Sequence, residues 1–192
     1  TDAERKAIGI VPVTTSGTHL DKKYYMEKAE VFAIASDKNS VIKTIGEKVA
    51  DKNLADVNEV WTQAQIDDGE APDGTSANDP KLDEFGNQIV SLGLKTIAKN
   101  DAANHANGLL QGFNWLIQRK VTADTAIPSA VVTYMAAVRT AHASICTAID
   151  NASDIDAFKV LHTTEYNEDG SVKTIAKVDD WPDDSGVKGN RR

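Results

Sequence analysis

Between Pro128 and Asp150, the residues Val131, Met135, Val138, His142, Ile145 and Ile149 recur at spacings of 4, 3, 4, 3 and 4. Positions so spaced share a face only in an α-helix. About six turns of such a helix carry an unbroken apolar ridge. A bare ridge of this kind is unfavourable in water. It has to be covered, either inside a helical bundle or as a seam between copies of the chain. Pro128 has the fixed φ and the missing N–H suited to the first turn. Upstream, Val90, Leu94, Ile97, Ala98, Ala102, Ala106, Leu109 and Leu110 make one face of a helix from Asn87 to about Leu110. Its many alanines let a partner approach closely, so packing of these two helices within the chain is the expected arrangement.

Shorter signals fill in the rest. Gly112 is a natural helix stop, and Asn114 reads as the N-cap of a short helix carrying Trp115, Leu116 and Arg119. The segment Thr122–Ala126 reads as a loop. Ser153, three residues before Asp156, has the form of a capping box for a helix through Leu161. Asp169-Gly170 is a turn signal between two short extended segments. Near the start, Ala7–Val13 reads as a strand closed by a turn at Thr14–Gly17, with Pro12 favouring a sheet edge. Glu27–Ala35 alternates, and Ser40–Val49 is a further β candidate, so a small antiparallel sheet is expected. Residues 67–84 hold seven acids against one lysine, with two glycines and two prolines; such a segment reads as an extended or mobile loop. The fold class is therefore α+β, a small β-rich N-terminal part plus a C-terminal antiparallel helical bundle. Its expected segments are 1–66 (β-rich), 67–86 (acidic loop or linker), 87–162 (helical) and 163–192 (β-hairpin and Trp-Pro terminal segment).

Charge narrows the function. The 192 residues carry 21 Lys and Arg against 29 Asp and Glu, a net charge of −8. Such a chain is repelled by phosphate backbones and anionic lipid, so neither nucleic acid nor membrane is an expected partner. No apolar run approaches 18 residues, and the opening Thr1-Asp2-Ala3-Glu4-Arg5 lacks a hydrophobic leader; a soluble, intracellularly made protein is expected. A single cysteine, Cys146, excludes an internal disulfide and a Cys-rich zinc site.

The chemistry-bearing residue types read as structural. His142 and Cys146 stand at i, i+4, the spacing of two metal ligands, and His105 and His162 could add others. With one thiol and no second paired motif, a packed histidine in the core or at an interface is expected instead. A nucleophilic Cys146 would need an electropositive, exposed setting, whereas Ser144-Ile145-Cys146-Thr147-Ala148 reads as a small buried site. Neither Asp67-Asp68-Gly69-Glu70 nor Asp73-Gly74 continues as a calcium loop. Phosphate-loop, dinucleotide, nucleophile-elbow and His-Glu-x-x-His patterns are missing from the sequence. No enzyme, no metal and no cofactor is expected. Trp115 and Trp181 read as anchors, of the core or of an interface. In Trp181-Pro182 the proline biases the tryptophan toward extended backbone, docking the terminal segment by its ring. Lys188, Arg191 and Arg192 form a basic tail, read either as a frayed terminus or as a contact for another copy's acidic 67–84 segment.

A run of short motifs adds a resemblance. It comprises Asn87-Gln88-Ile89-Val90-Ser91-Leu92-Gly93-Leu94-Lys95, Leu109-Leu110, Asn114-Trp115, Arg119, Ile127-Pro128, Tyr134, Val138-Arg139 and Asp180-Trp181-Pro182-Asp183. In order and spacing these resemble a family of tailed-bacteriophage proteins encoded with tail and tail-fibre genes. Glu4-Arg5-Lys6-Ala7-Ile8-Gly9-Ile10-Val11 is similar to openings found there. The chain departs at Met135, where the family often carries Arg after the Tyr, so an apolar contact is expected at that point. The resemblance implies a non-enzymatic virion component of the tail, baseplate or tail-fibre attachment region, made in the host cytoplasm. Its implied partners are other phage tail or fibre proteins and further copies of itself in a homo-oligomer. Trp115, Arg119, Tyr134, Met135, Arg139, Trp181 and Pro182 are its candidate interaction or anchor residues. The alternative is a tail-fibre assembly chaperone absent from the mature particle. A receptor-binding tip ranks below both, since only 6% of the residues are aromatic.

Overall fold

β-Branched residues at Val13, Thr14 and Thr15 favour extended backbone, and they form the first strand of a computed structural model that describes residues 11–190. The chain divides into two compact units, Thr1–Lys52 and Asn53–Arg192; the boundary expected at 66 does not coincide with this division.

In the first unit, β1 (Val13–Ser16), β3 (Val31–Ile34) and β4 (Val41–Thr44) form a sheet in the order β1-β4-β3, and β2 (Tyr25–Glu27) pairs with β5 (Lys48–Asp51). The sheet is mixed, not antiparallel: β1 runs parallel to β4 with Val13 beside Val41, while β3 is antiparallel to β4 with Val31 beside Thr44. Two strands intervene between β1 and β4, giving the long connection that a parallel pair needs. Residues 7–10 of the expected first strand lie outside the described residues. Thr14–Ser16, expected as a turn, is strand, and the chain reverses at Gly17. There a Cβ would come within 2.2 Å of the Ile45 carbonyl oxygen, at a φ of +95° open to glycine. β1 is an edge strand, as Pro12 before it requires, and the Pro12 carbonyl accepts from the Val41 amide. The alternating run Glu27–Ala35 is split between β2 and β3. The Glu27 carboxylate turns inward, taking the Gly46 amide at 2.6 Å and His19 at 2.8 Å.

The second unit begins with β6 (Val57–Asn58) and α1 (Gln63–Asp67), the latter closed by a Thr62–Gln65 capping box. Residues 67–86 are not a linker. A Val60–Pro80 bridge folds them back on 59–61, a Leu82–Gln88 bridge closes their end, and the Lys81 ammonium lies 4.7 Å from the centre of the Trp61 ring. Two of the loop's acids bond amides of the loop and its end. Asp79 takes Ser76 N–H, and Asp83 takes those of Phe85 and Asn87.

The expected helix from Asn87 starts only at Leu94. Val90 and Ser91 form β7 (Val90–Ser91) against β6, and α2 spans Leu94–Gln111. The reason lies about 40 residues earlier. Asp56 Oδ1 takes the Gly93 amide at 2.7 Å, and the carbonyls of Asn53 and Leu54 take those of Leu94 and Lys95. These groups satisfy first-turn donors that a longer helix would bond internally. A Cβ on Gly93 would sit 2.3 Å from the Ala55 carbonyl carbon.

Then follow α3 (Asn114–Ala123), α4 (Ser129–Asn151), α5 (Ile155–Val160), and a hairpin of β8 (Glu165–Tyr166) and β9 (Val172–Thr174) turning at Asp169-Gly170. Four cap positions differ by a residue or two from expectation. Phe113, not Asn114, holds the N-cap of α3, and Pro128 is the N-cap of α4, its carbonyl accepting from Val131 and Val132. α3 continues through Thr122 and Ala123 to a left-handed Asp124. Asp154, not Ser153, caps α5 through the Ala157 amide, with the Ser153 hydroxyl donating to Asp154.

α2 and α4 are antiparallel. Lys95 and Lys99 near the start of α2 reach Asp150 near the end of α4, while Leu110 near the end of α2 lines one hollow with Met135. The ridge is covered as expected: Val131, Met135, Val138, Ile145 and Ile149 are buried, and Tyr134 joins them. From α2 the buried face is Leu94, Ala98, Ala102 and Ala106, whereas Ile97 stays exposed.

Two outcomes follow. Phe113, fully shielded at the α2–α3 corner, when changed to Ala should cost about 3–5 kcal/mol, read as a lowered urea midpoint. The Gly93 amide, first, and the Thr96 side chain, next, hold the Asp56 carboxyl below the usual aspartate range. A depressed folded-state value means its stabilisation is present above ~4 and lost as pH falls through the folded value. Asp56→Asn should therefore weaken the unit at neutral pH and flatten its acid loss, measured as unfolding midpoint against pH.

Candidate interaction site

The corner between α2 and α3 brings the sequence-predicted anchors together. Gly112 ends α2, the Phe113 amide bonds back to Leu110, and the Phe113 carbonyl accepts from Leu116. This tight corner drives Phe113 inward and leaves Trp115 on the flank of the core. Around it cluster Ala106, Leu116, Val131, Tyr134, Met135, Val138 and Val187, with Trp115 and Trp181 packed against them. The Phe113 and Tyr134 rings meet edge to face at 5.8 Å.

Each indole ties the terminal segment down. Trp115 Nε1 donates to the Asn190 carbonyl at 2.9 Å. Trp181 sits after the 3-10 turn Lys177–Asp179, donates to the Val178 carbonyl at 2.9 Å and lies 4.9 Å from the His105 ring. The docking expected from Trp181-Pro182 is thus present, and both tryptophans are core anchors within the second unit. Arg119 stacks its guanidinium 5.0 Å above the Trp115 ring, an attraction of charge to the ring face. Its Nε is shielded from water without a hydrogen-bond partner. Met135 makes the expected apolar contact in this cluster. Arg139 and Pro182 stand apart. Arg139 is exposed, its Nη1 3.5 Å from the Met135 carbonyl, at the rim of a hollow of about 400 Å³. Pro182 is half-buried on the wall of a separate groove of about 470 Å³ between α4 and residues 182–187.

Sequence reasoning missed Phe113 and Val187. Phe113 hid between two helix-breaking signals, although Leu110, Phe113 and Leu116 repeat every third residue. Val187 had no periodicity to reveal it.

The histidines are dispersed. His142 Nε2 lies 3.5 Å from Cys146 Sγ, His105 is on Trp181, and His162 packs at 4.7 Å on the Phe158 ring. Among the described residues no group of three or more His, Cys, Asp or Glu side chains is placed to hold a metal, and no helix is long and apolar enough to cross a membrane. Burial pushes the Cys146 thiol up, Lys99 partly offsets this, and Asp150 adds to it. The group therefore remains a protonated thiol at neutral pH.

Comparisons with protein-family models, curated proteins and solved structures found no match.

Iodoacetamide should alkylate Cys146 more slowly in the folded chain than in urea. Its rate should climb only above the ordinary cysteine range. Rapid modification at neutral pH would contradict the shielding described here.

Proposed function

We propose that this chain is a non-enzymatic bacteriophage virion structural protein of the tail, baseplate or tail-fibre attachment region, working through protein–protein packing. The observation that carries the reading is where the phage-like motifs fall. Trp115, Arg119, Tyr134, Val138 and Trp181 belong to one packed assembly that fastens the terminal segment to the helices. Residues used in this way hold a shape, which is the task of a part built into a larger particle. A second feature supports it. In the first unit the strands leave Val13, Val31, Phe32 and Ile34 exposed, Ile34 by 74%. Apolar surface left open in this manner suits burial against neighbours. Those neighbours are other tail or fibre proteins together with further copies of the chain, set out by the symmetry of the tail. The protein is made in the host cytoplasm and resides in the virion.

Mass spectrometry of purified, salt-washed phage particles tests this. The expected result is the chain in stoichiometric amounts relative to known tail proteins. Presence in infected-cell extract with absence from washed particles would overturn it in favour of the tail-fibre assembly chaperone.

A further inference from the structure

Three helices of the second unit converge on the hollow of about 400 Å³ that Arg139 rims. Asn107 and Gln111 lie one turn apart near the end of α2, Asn114 opens α3, and Arg139 stands on α4 one turn beyond Met135. Residues so spaced share a helix face, which is why these polar groups look into one space. Beneath them Leu110, Ile117 and Met135 form an apolar floor, on which Ile117 stays 40% exposed.

The polar groups are uncommitted. Among the described residues none of the three carboxamides makes a side-chain hydrogen bond, and Arg139 has no ion pair. Its one contact, Nη1 to the Met135 carbonyl, is long at 3.5 Å and leaves most of the guanidinium donors unused. Although residues 53–192 hold 21 acids against 12 bases, no carboxylate lines this hollow. Arg139 is the only charge on its walls.

These groups select a ligand by their chemistry. A guanidinium fork pairs two N–H donors with the two oxygens of a carboxylate. A carboxamide presents a donor and an acceptor side by side, the complement of a peptide group. The floor takes an aliphatic side chain. Inorganic phosphate offers acceptors alone and would leave the amide oxygens and the floor unused.

We propose that this hollow binds an acidic peptide segment of a partner protein. The segment's carboxylate lies on the Arg139 guanidinium, its main chain on the carboxamides of Asn107, Gln111 and Asn114, and an aliphatic side chain on the floor. The site belongs to the second unit alone and stands whether or not the chain is found in washed particles.

Nuclear magnetic resonance of the full ¹⁵N-labelled chain tests it, with the blocked tripeptide acetyl-Leu-Glu-Leu-amide as probe. The side-chain NH₂ signals of Asn107, Gln111 and Asn114 should shift and saturate, with a dissociation constant of about 1 mM. Replacing the peptide's Glu by Gln should raise that constant at least ~10-fold, the loss of one charge-assisted pair. Arg139→Gln, at an exposed position, should cause the same loss. Arg139→Lys keeps the charge without the fork and should recover only part of the affinity. Lys120→Gln, which removes a charge of α3 outside the hollow, should leave binding unchanged, and inorganic phosphate should not move the carboxamide signals. Carboxamides unmoved by the Glu peptide, or equal binding of the Glu and Gln peptides, would overturn the proposal. So would binding indifferent to Arg139→Gln, a loss as large with Lys120→Gln, or phosphate shifting the carboxamides as the peptide does.

Discussion

The antiparallel contact of α2 with α4 is the constraint on which the second unit depends. Alanine at 98, 102 and 106 lets the backbones approach, and the ridge from Val131 to Ile149 fills the space between them. Such a contact is tolerant along its length but must be closed at its ends, because helix ends carry unpaired backbone groups. At one end Asp56 and the carbonyls of 53 and 54 satisfy the first amides of α2, while Lys95 and Lys99 bind Asp150. At the other, Phe113 is fully shielded and the terminal segment is pinned over it by Trp115 and Trp181. The Asp56 cap and the terminal segment come from outside the helix pair, so the pair, the 53–56 segment and residues 176–190 are joined in one structure.

What could be read from the sequence follows the range of the interactions involved. The α4 ridge was legible because a period of 3.6 is a local property, and the Asp169-Gly170 turn for the same reason. The start of α2 was not. Val90 and Leu94 continue the helical spacing, but pairing with Asn58 makes Val90 strand, and Asp56, Asn53 and Leu54 fix the helix start at Leu94. Likewise the 67–86 loop was legible as polar, but not as folded, since its bridging partners lie at Val60 and Gln88. The cap of α5 slipped by one residue because Ser153 and Asp154 offer the same chemistry. The parallel pairing of β1 with β4 has no local signature at all. Within the candidate site, Trp115 and Trp181 could be found because large aromatics rarely stay in water, whereas nothing in the sequence separates the exposed Arg139 from the stacked Arg119.

Charge is divided unevenly along the chain. Residues 53–192 hold 12 of the 21 Lys and Arg but 21 of the 29 Asp and Glu, so the second unit carries −9 and the first +1. The first unit is close to neutral, and it also leaves its sheet apolar and uncovered. These properties reinforce one another. A strongly charged first unit would be held away from any neighbour of the same sign, while a neutral one can bury Phe32 and Ile34 without a large electrostatic penalty. The acidic second unit repels surfaces of like charge.

Aromatic side chains are scarce here, eleven in 192 residues, and their placement separates scaffold from contact surface. Phe113, Phe158, Tyr24 and Tyr134 are buried, and Trp115 and Trp181 are half-buried fastenings. Those residues are already committed to holding the fold. Phe32 and Phe85 are not: each stands on fixed backbone, one in a paired strand and one on a hydrogen-bonded turn, with its ring largely in water. Backbone order at a site that gains nothing from burial within its own chain must be provided by the turn or strand itself. The Asp83 carboxylate does so for Phe85, and it is held below the usual aspartate range chiefly by the Asn87 amide and side chain. The geometry that makes the turn rigid is the same geometry that makes the ring available.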